Sequence, residues 1–444
     1  MRVSVFGLGK LGACMAAAFA ARGIEVWGVD VDGGRAEAFG SGEALYPEPR
    51  LAESMREGRD RLRATTDASL AVQSTDASFV VVPTPSLESG DFSLEFCMQA
   101  VGAIGAALRS KPGRHLVVIT STVLPGACSS RLIPELEAAS GRPLGPELGF
   151  CYSPEFIALG SVINDFLNPD MVLIGESDTK AGEELQEILT SVLEREAPVA
   201  RMTIVNAELA KLAVNTFVTA KIAFANMLGS IAETLPGGEV DQVTGALGLD
   251  SRIGPKYLRS GAPFGGPCFP RDVRALSFLA QSLGADSSLA SAVEDANDGG
   301  LARLIEAVKK LNPASVAILG LAYKPGSPVL EDSPAMALAR SLAQDGVQVR
   351  AFDRMADYMT GMGHDGVSVS ATLSAALSGS EVMAVMHADP LFRSGDVLSQ
   401  IRASGIRAVI DPWRLFQPGD LKGSVELVAF GRWSSRQERR YISR

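Results

Sequence analysis

A few polar residues in this chain have side chains that acid–base or covalent chemistry could use. Cys268 lies in the tight glycine–proline stretch FGGPCFPRD, and Asp272 follows it by four residues. Lys211 and Asn215 are also four residues apart, which places them on one face of a predicted helix. Glu155 lies in YSPEF, directly after a predicted strand. Cys268 could be either a small core residue or a nucleophile.

Each of these residues also has an ordinary structural explanation when it is considered alone. A single cysteine is more often a small buried hydrophobic residue than a nucleophile. A Lys–Asn pair at this spacing is usually a solvated helix face, and a glutamate near a helix start usually faces the helix dipole or water. The interpretation therefore depends on the rest of the chain.

A glycine-rich turn at the N-terminus is typical of a dinucleotide site. Gly7, Gly9 and Gly12 form G-x-G-x-x-G directly after a predicted strand, where they permit a tight turn, close approach of a pyrophosphate and helix–strand packing. Asp30, at the end of the next strand, would bind both ribose hydroxyls and favour NAD over NADP, although Arg35 weakens that preference. We therefore predict NAD as the cofactor. The predicted contacts from these and later strand ends are Gly7, Leu8, Gly9, Lys10, Leu11, Gly12, Asp30, Arg35, Pro83, Thr84, Ser121 and Thr122.

The elements that must position these residues begin with short β-branched runs that alternate with helical stretches. This alternation predicts a parallel sheet with crossover helices, whose ligand sites lie where the strands end. The predicted strands are Arg2–Phe6, Glu25–Val29, Phe79–Val82, Leu116–Thr120, Leu148–Tyr152 and Met171–Ile174.

A long helical pattern separates this region from a second α/β pattern. It runs from Asn206, a candidate N-cap, to Leu235, and its length indicates a spine between domains or a dimer interface. The second pattern opens at ASVAILGLAYK and continues through the predicted strands VQVRAFD, EVMAVM and AVIDPW. We predict two Rossmann-like α/β domains joined by a central helical domain with a long spine helix. The predicted limits are 1–203 for the NAD-binding domain, 204–300 for the central domain and 301–444 for the C-terminal domain.

Composition excludes several classes of partner and site. The chain has 444 residues, a net charge of −10 and 46% hydrophobic residues, so we expect a multidomain globular protein that binds neither nucleic acid nor an anionic membrane. No apolar run approaches the roughly eighteen residues of a membrane span, and the N-terminal strand leaves no room for a signal peptide. Five cysteines without metal spacing indicate reduced thiols in the cytoplasm. The histidines His115, His364 and His387 are likewise not at metal spacing, so no metal site is predicted.

Four motifs together resemble one family. FGGPCFPRD, SPEF, AKLAVN and GLAYKP, in register with the NAD fingerprint, look like the nucleotide-sugar 6-dehydrogenases, which include UDP-glucose and GDP-mannose dehydrogenases. The resemblance covers essentially the whole chain. Within the family, GLDSRIGPKYL looks most like the UDP-glucose branch. The resemblance to the family implies that the C-terminal domain binds the nucleotide sugar.

The resemblance also implies a mechanism, the four-electron oxidation of a sugar C6 alcohol to a carboxylate with two NAD⁺ and one water. Asp272 and Lys211 would remove the hydroxyl proton through water, and Cys268 would form a thiohemiacetal and then a thioester. Lys211 and Asn215 would stabilise the oxyanions, and Glu155 would activate the hydrolytic water. Gly265 and Gly266 would leave room for the sugar. Glu155 and Arg271 join the cofactor contacts, and the implied substrate contacts are Phe156, Lys211, Asn215, Arg252 (from the second subunit of a homodimer), Tyr257, Phe264, Gly265 and Lys324.

The chain departs from the family pattern at several positions. Leu159 replaces a common glutamate, Pro267 replaces a serine, and Arg271 replaces a lysine. DPWRLF replaces a shorter basic motif, although Arg414 could still bind the diphosphate. These changes bear on substrate identity and cofactor affinity.

The leading interpretation is a cytoplasmic, NAD-dependent oxidoreductase that converts UDP-glucose to UDP-glucuronate for polysaccharide biosynthesis. GDP-mannose, dTDP-glucose or a UDP-hexosamine are alternative substrates. A two-electron dehydrogenase of the β-hydroxyacid type is an alternative reaction, and an NAD-sensing or scaffold protein is a non-enzymatic alternative. Cys268 separates the two reactions, because a two-electron enzyme needs no thiol.

Overall fold

The chain forms two compact units, Met1–Ala213 and Val214–Arg444, in a computed structural model. It describes residues 1–359, 366–417, 419–421 and 425–434, and His364 lies outside them. Among the described residues, no group of three or more His, Cys, Asp or Glu side chains is placed to hold a metal ion.

The first unit contains an eight-stranded sheet with helices on its connections. The strands are β1 Arg2–Phe6, β2 Glu25–Val29, β3 Leu62–Thr65, β4 Ala77–Val80, β5 His115–Ile119, β6 Leu148–Tyr152, β7 Val172–Glu176 and β8 Val199–Thr203. The helices are α1 Lys10–Ala21, α2 Gly33–Ser41, α3 Leu51–Glu57, α4 Ala68–Ser74, α5 Glu95–Leu108, α6 Ile133–Ser140, α7 Val162–Leu167 and α8 Thr179–Val192. The strand order is β3-β2-β1-β4-β5-β6-β7-β8.

The buried strands of this sheet are the ones that their apolar residues predicted. β1, β2 and β6 match the predicted limits, and β4, β5 and β7 lie within two residues of the predicted starts. The predicted parallel arrangement has one exception, because β6 and β7 pair antiparallel. The apolar runs do not predict β3 and β8, which lie at the two edges of the sheet and are less buried than the central strands. Edge strands need no continuous apolar run, so hydrophobicity does not reveal them.

Helices precede the second sheet. They are α9 Ile204–Ala232, in which the first unit ends and the second begins, α10 Val240–Leu249, α11 Phe269–Ser282 and α12 Ser288–Lys309. The strands of the second sheet are β9 Ser315–Leu319, β10 Gln348–Phe352, β11 Val367–Val369, β12 Val382–Val385, β13 Ala408–Asp411 and β14 Glu426–Ala429. Its helices are α13 Pro334–Gln344, α14 Leu373–Leu377 and α15 Gly395–Ala403. All its strand pairs are parallel, in the order β11-β10-β9-β12-β13-β14. The predicted fold class of two α/β domains and a central helical region is confirmed.

The predicted spine helix is α9, which starts two residues before Asn206 and ends before Leu235. Phe217, Phe224 and Ile231 are spaced by seven residues along it, and all three are exposed. By length and composition alone, α9 is apolar enough to cross a membrane, which the sequence analysis did not indicate. One third of its most apolar stretch is buried within the protein.

A buried guanidinium holds the end of the second sheet to the helical region. Arg414 has a fully buried side chain and donates to both carboxylate oxygens of Asp241, at 2.7 and 2.8 Å. Its other N–H groups donate to the carbonyl oxygens of Pro412, Phe430 and Ser260. All five guanidinium donors are therefore used inside the protein. This arrangement contradicts the expectation that Arg414 binds a diphosphate.

Candidate active site

The glycine turn after β1 has the geometry of a phosphate cradle. Gly7 has a φ of 98°, and a Cβ there would overlap the Val81 carbonyl oxygen. A Cβ at Gly12 would overlap the Gly7 carbonyl oxygen, so the third glycine lets α1 pack against the turn. Gly9 faces open space and is the N-cap of α1, with no side chain to cap the helix. The first N–H groups of α1 can therefore bind an anion.

Asp30 connects this turn to the end of β2. Its carboxylate accepts a 2.8 Å hydrogen bond from the Leu8 N–H and pairs with Arg35 at 3.2 Å. Asp30 and Leu8 are both buried, and the Leu8 carbonyl accepts a hydrogen bond from the Tyr46 hydroxyl at 3.1 Å, so both backbone polar groups of Leu8 are engaged inside the protein. Lys10 is exposed and Leu11 is partly buried in the first turn of α1. The carboxylate is placed where ribose hydroxyls could donate to it.

The hydroxyls after β4 and β5 bind the two loops to each other. The Ser121 hydroxyl donates to the Val82 carbonyl at 2.7 Å and accepts from the Val82 N–H at 2.9 Å. The Thr84 hydroxyl donates to the Thr122 carbonyl at 2.7 Å. Ser121 and Thr84 are buried, whereas Pro83 is exposed and Thr122 is partly exposed. The two buried hydroxyls therefore shape this edge of the sheet, and Pro83 and Thr122 are the more accessible residues.

Glu155 and Lys211 lie together in the first unit. Glu155 is in the loop after β6, where burial raises the pKa of its carboxyl to about 7 against the opposing effect of the Lys211 charge. Lys211 is buried on α9 and donates to the Glu155 carbonyl oxygen at 2.7 Å. Its ammonium lies 4.7 Å from the centre of the Phe156 ring. A carboxyl group with a pKa near neutrality is suited to general base catalysis.

Cys268 differs from the other four cysteines of the chain. It is exposed and is the N-cap residue of α11, whereas Cys14, Cys97, Cys128 and Cys151 are buried. Burial raises the pKa of those four thiols, that of Cys97 to about 11. A helix N-terminus stabilises negative charge on a nearby sulfur. Cys268 is therefore not a core residue, and its position suits a nucleophile.

Asp272 lies one helical turn after Cys268 and is fully buried. Its carboxylate accepts a 2.6 Å hydrogen bond from the Asn215 side chain and a 3.1 Å hydrogen bond from the Arg271 guanidinium. Asn215, Asp272 and Arg271 thus form one cluster in the second unit. Arg271, one of the departures from the family pattern, pairs with the acidic residue beside it.

Phe264 contributes to the packing before the cysteine. Its side chain is buried, and its ring makes an edge contact with Phe269, with the centroids 6.5 Å apart. The Asn297 side chain accepts from the Phe264 N–H at 2.9 Å and donates to the Phe264 carbonyl at 3.0 Å. The N–H and the carbonyl of Phe264 are therefore both engaged inside the protein.

The two glycines after Phe264 face protein instead of open space. A Cβ at Gly265 would overlap the Asp332 carbonyl oxygen, and a Cβ at Gly266 would overlap the Tyr323 ring. The Gly266 N–H donates to the same Asp332 carbonyl at 3.1 Å. The missing side chains of these glycines therefore admit another segment of the second unit, and the approach of a sugar to their backbone stays a prediction.

The remaining predicted substrate contacts lie on loops of the second unit. Arg252 follows α10, is highly exposed and pairs with Asp250 at 2.6 Å. Tyr257 is half exposed, with a φ of 61°, and its ring centroid lies 6.2 Å from that of Phe269. Lys324 follows β9, with its ammonium 5.7 Å from the centre of the Tyr323 ring.

Four residues that support these loops were missed by the sequence analysis. Glu208 is fully buried and accepts from the N–H groups of Gly126 and Cys128, near the cofactor loop after β5. Lys221 donates to the carbonyls of Ile253 and Gly254 beside Arg252. The other two are Asn297 and Asp332. All four bind backbone groups that are remote in sequence, and a local sequence pattern cannot predict such a contact.

The glycine turn yields a prediction that separates folding from cofactor binding. Gly12→Ala should lower the free energy of unfolding by about 2 kcal/mol, because its Cβ meets backbone. Gly9→Ala should change it by less than about 1 kcal/mol, since a Cβ there meets nothing, yet weaken NAD binding by tenfold or more, roughly 1.4 kcal/mol. Urea unfolding and calorimetric titration with NAD⁺ measure the two effects. Unchanged NAD affinity in Gly9→Ala would place the cofactor elsewhere.

Family models match this chain in three consecutive regions. All three describe the UDP-glucose/GDP-mannose dehydrogenase family: its NAD binding domain over residues 1–193, its central domain over 205–299 and its UDP binding domain over 317–418. The glycine turn lies in the first region, Cys268 in the second, and Lys324 in the third. The NAD-binding assignment of the first region agrees with the cradle after β1.

Individual relatives carry both substrate names. A GDP-mannose 6-dehydrogenase of Pseudomonas aeruginosa is 35% identical over 434 residues, 97% of each chain. A UDP-glucose 6-dehydrogenase of Haloferax volcanii is 38% identical over 362 residues, 80% of this chain and 84% of its own length. The solved structure of a UDP-glucose dehydrogenase from Pyrobaculum islandicum has a TM-score of 0.87 at 31% identity and covers 98% of both chains. The chain therefore belongs to the UDP-glucose/GDP-mannose dehydrogenase family and is a nucleotide-sugar 6-dehydrogenase that binds NAD.

Proposed function

We propose that this protein oxidises the C6 alcohol of UDP-glucose to the carboxylate of UDP-glucuronate, in the cytoplasm, with Cys268 as the covalent nucleophile. The observation that carries the proposal is the position of Cys268. It is an exposed thiol at the N-terminus of α11, one turn before the buried Asp272, in a chain whose other thiols are all buried. Family membership supplies the cofactor and the substrate class.

Each candidate catalytic residue has one role in the proposed reaction. The glycine turn after β1 and Asp30 would hold NAD⁺, which would supply the hydride acceptor for each of two oxidations. A base formed by Asp272 and Lys211 with water takes the C6 hydroxyl proton in the first oxidation. The Cys268 thiolate then adds to the aldehyde carbon, giving a thiohemiacetal that the second oxidation converts to a thioester. Lys211 and Asn215 donate hydrogen bonds to the oxyanions.

Hydrolysis releases the acid and restores the thiol. Glu155 takes a proton from water, the hydroxide oxygen adds to the thioester carbon, and the C–S bond breaks. The raised pKa of Glu155 supports this role, because a base with a pKa near the working pH is ionised and still able to hold a proton. The overall reaction consumes two NAD⁺ and one water for each carboxylate formed.

GDP-mannose is the second candidate substrate. The relative from Pseudomonas aeruginosa that spans 97% of this chain carries that name, whereas the relative from Haloferax volcanii carries the UDP-glucose name. A comparison of kcat/KM for UDP-glucose, GDP-mannose, dTDP-glucose and UDP-N-acetylmannosamine decides between them. The highest value for GDP-mannose would replace the proposed substrate and leave the proposed chemistry intact.

The covalent mechanism predicts the stoichiometry. With UDP-glucose and excess NAD⁺, we expect two NADH for each sugar consumed, measured at 340 nm and by chromatography of the product. Cys268→Ser should lower kcat by about a thousandfold or more, because the acyl carrier is lost. Cys14→Ala, which removes a buried thiol among alanines of α1, is the matched control and should retain activity. One NADH per sugar with release of free aldehyde would contradict the thioester.

The Glu155 carboxyl predicts the acidic limb of the pH profile. Below about pH 7 the carboxyl is protonated and cannot accept a proton from water, so kcat should rise through about pH 7 and then level off. Glu155→Gln should abolish most turnover and accumulate the acyl-enzyme, which mass spectrometry detects as an adduct on Cys268. Glu187→Gln, an exposed change on α8, should leave the limb in place. A limb that persists in Glu155→Gln would assign it to another group.

We also propose that the protein is a homodimer whose interface includes the exposed face of α9. Phe217, Phe224 and Ile231 are 67%, 46% and 46% exposed, and exposed apolar side chains in one continuous row are typical of an interface. Their seven-residue spacing puts them on one face, which a second copy of the same helix would cover.

The exposed apolar face of α9 predicts which substitutions dissociate the dimer. The double change Phe217→Asp and Phe224→Asp should shift the mass from two chains to one at micromolar concentration, since buried charges at an interface core are costly. Light scattering coupled to gel filtration measures the mass. Leu283→Asp, at an equally exposed leucine outside α9, is the control and should leave the mass unchanged. A monomeric wild-type chain would refute the proposal.

A further inference from the structure

We propose that Asp332 is a positioning residue for Cys268, holding the chain on both sides of the cysteine to the loops of the C-terminal α/β domain. The proposal rests on the proposed function in one respect, which is that Cys268 is the nucleophile. Asp332 lies between β9 and α13, far from Cys268 in sequence, and takes no part in the proposed chemistry.

The first contact is made by the Asp332 backbone before the cysteine. Its carbonyl oxygen accepts the Gly266 N–H at 3.1 Å, and the same oxygen fills the space beside Gly265. The Tyr323 ring fills the space beside Gly266, which has a φ of 86°. The two residues that precede Pro267 and Cys268 are thus held by backbone and ring atoms of the loop that follows β9.

The second contact is made by the Asp332 side chain after the cysteine. Its carboxylate pairs with Arg274 on α11 at 3.1 Å, and both side chains are about half exposed. Cys268 is the N-cap of that helix. An ion pair this exposed adds little to the free energy of unfolding. We therefore expect it to act on the position of α11. Asp332 therefore contacts both the loop that precedes Cys268 and the helix that follows it.

The Asp332 backbone has a left-handed conformation. Its φ of 45° lies in a region that, apart from glycine, aspartate and asparagine adopt most often. Such conformations persist where surrounding contacts enforce them, often at functional sites. Here the conformation accompanies the contact of the carbonyl with Gly266 and of the carboxylate with Arg274.

The neighbour of Asp332 joins it to the loop after β9. The Ser333 hydroxyl donates to the Leu321 carbonyl at 2.7 Å and also caps α13. The N–H groups of Leu321 and Ala322 donate to the Asp353 carboxylate. The loop that carries Lys324 and the loop that carries Cys268 are thus held in one packed arrangement, with Asp332 and Tyr323 as contacts between them.

Thiol alkylation tests the proposal without turnover. Since the other four cysteines are buried, iodoacetamide should label Cys268 alone in the native protein. Asp332→Gly and Asp332→Asn both remove the ion pair, and both residues tolerate the left-handed backbone. We expect each variant to slow the labelling of Cys268 by about threefold to fivefold. The sulfur is then less well placed at the N-terminus of α11, which stabilises its negative charge. Asn312→Gly, at another position with a φ of 45°, is the matched control and should label at the wild-type rate.

Steady-state kinetics give the second readout. In the Asp332 variants we expect kcat to fall about tenfold or more while KM for the nucleotide sugar stays within about twofold, since misplaced reacting atoms slow chemistry. A purely structural role would lower the melting temperature without this split. Labelling and kcat equal to those of Asn312→Gly would overturn the proposal. A wild-type chain that forms no NADH would instead defeat the proposed function, while the labelling comparison would still decide the role of Asp332.

Discussion

A carboxylate without contact with water must be paired, and Asp272 is under that constraint. Its partners are Asn215 on α9 and Arg271 beside it on α11. A buried unpaired charge costs several kcal/mol, and the contact with Asn215 fixes the first turn of α11 against α9. Cys268 caps that turn. The position of the thiol therefore follows from the pairing of one buried acid. The loop that precedes Cys268 must be compatible with that position.

That loop reaches it because glycine has no side chain. Gly265 and Gly266 pack flush against Asp332 and Tyr323, where any Cβ would overlap them. The loop before the cysteine therefore packs against the C-terminal α/β domain. The helix after the cysteine, α11, is held to α9. The exposed thiol is a consequence of packing on both sides of it.

The two α/β domains use one device to shape their first loop. In the first sheet, Asp30 follows β2 and accepts the Leu8 N–H after β1. In the second sheet, Asp353 follows β10 and accepts the Leu321 and Ala322 N–H groups after β9. In both cases a buried acid at the end of one strand satisfies backbone donors at the end of its neighbour. Only the first domain has the G-x-G-x-x-G turn at that place.

The sequence by itself determined the central strands, the spine helix and the candidate residues for the chemistry. Apolar runs and the glycine fingerprint are local patterns, and each reflects a requirement of the backbone at that point, so β1, β2 and β6 could be predicted to the residue. Tertiary structure alone decided what those residues contact. Arg414 satisfies five donors internally, and the missing side chain of Gly265 admits the Asp332 carbonyl, because hydrogen bonds and excluded volume depend on partners that are distant along the chain. For the same reason Asn297 and Asp332 became visible only in the folded protein.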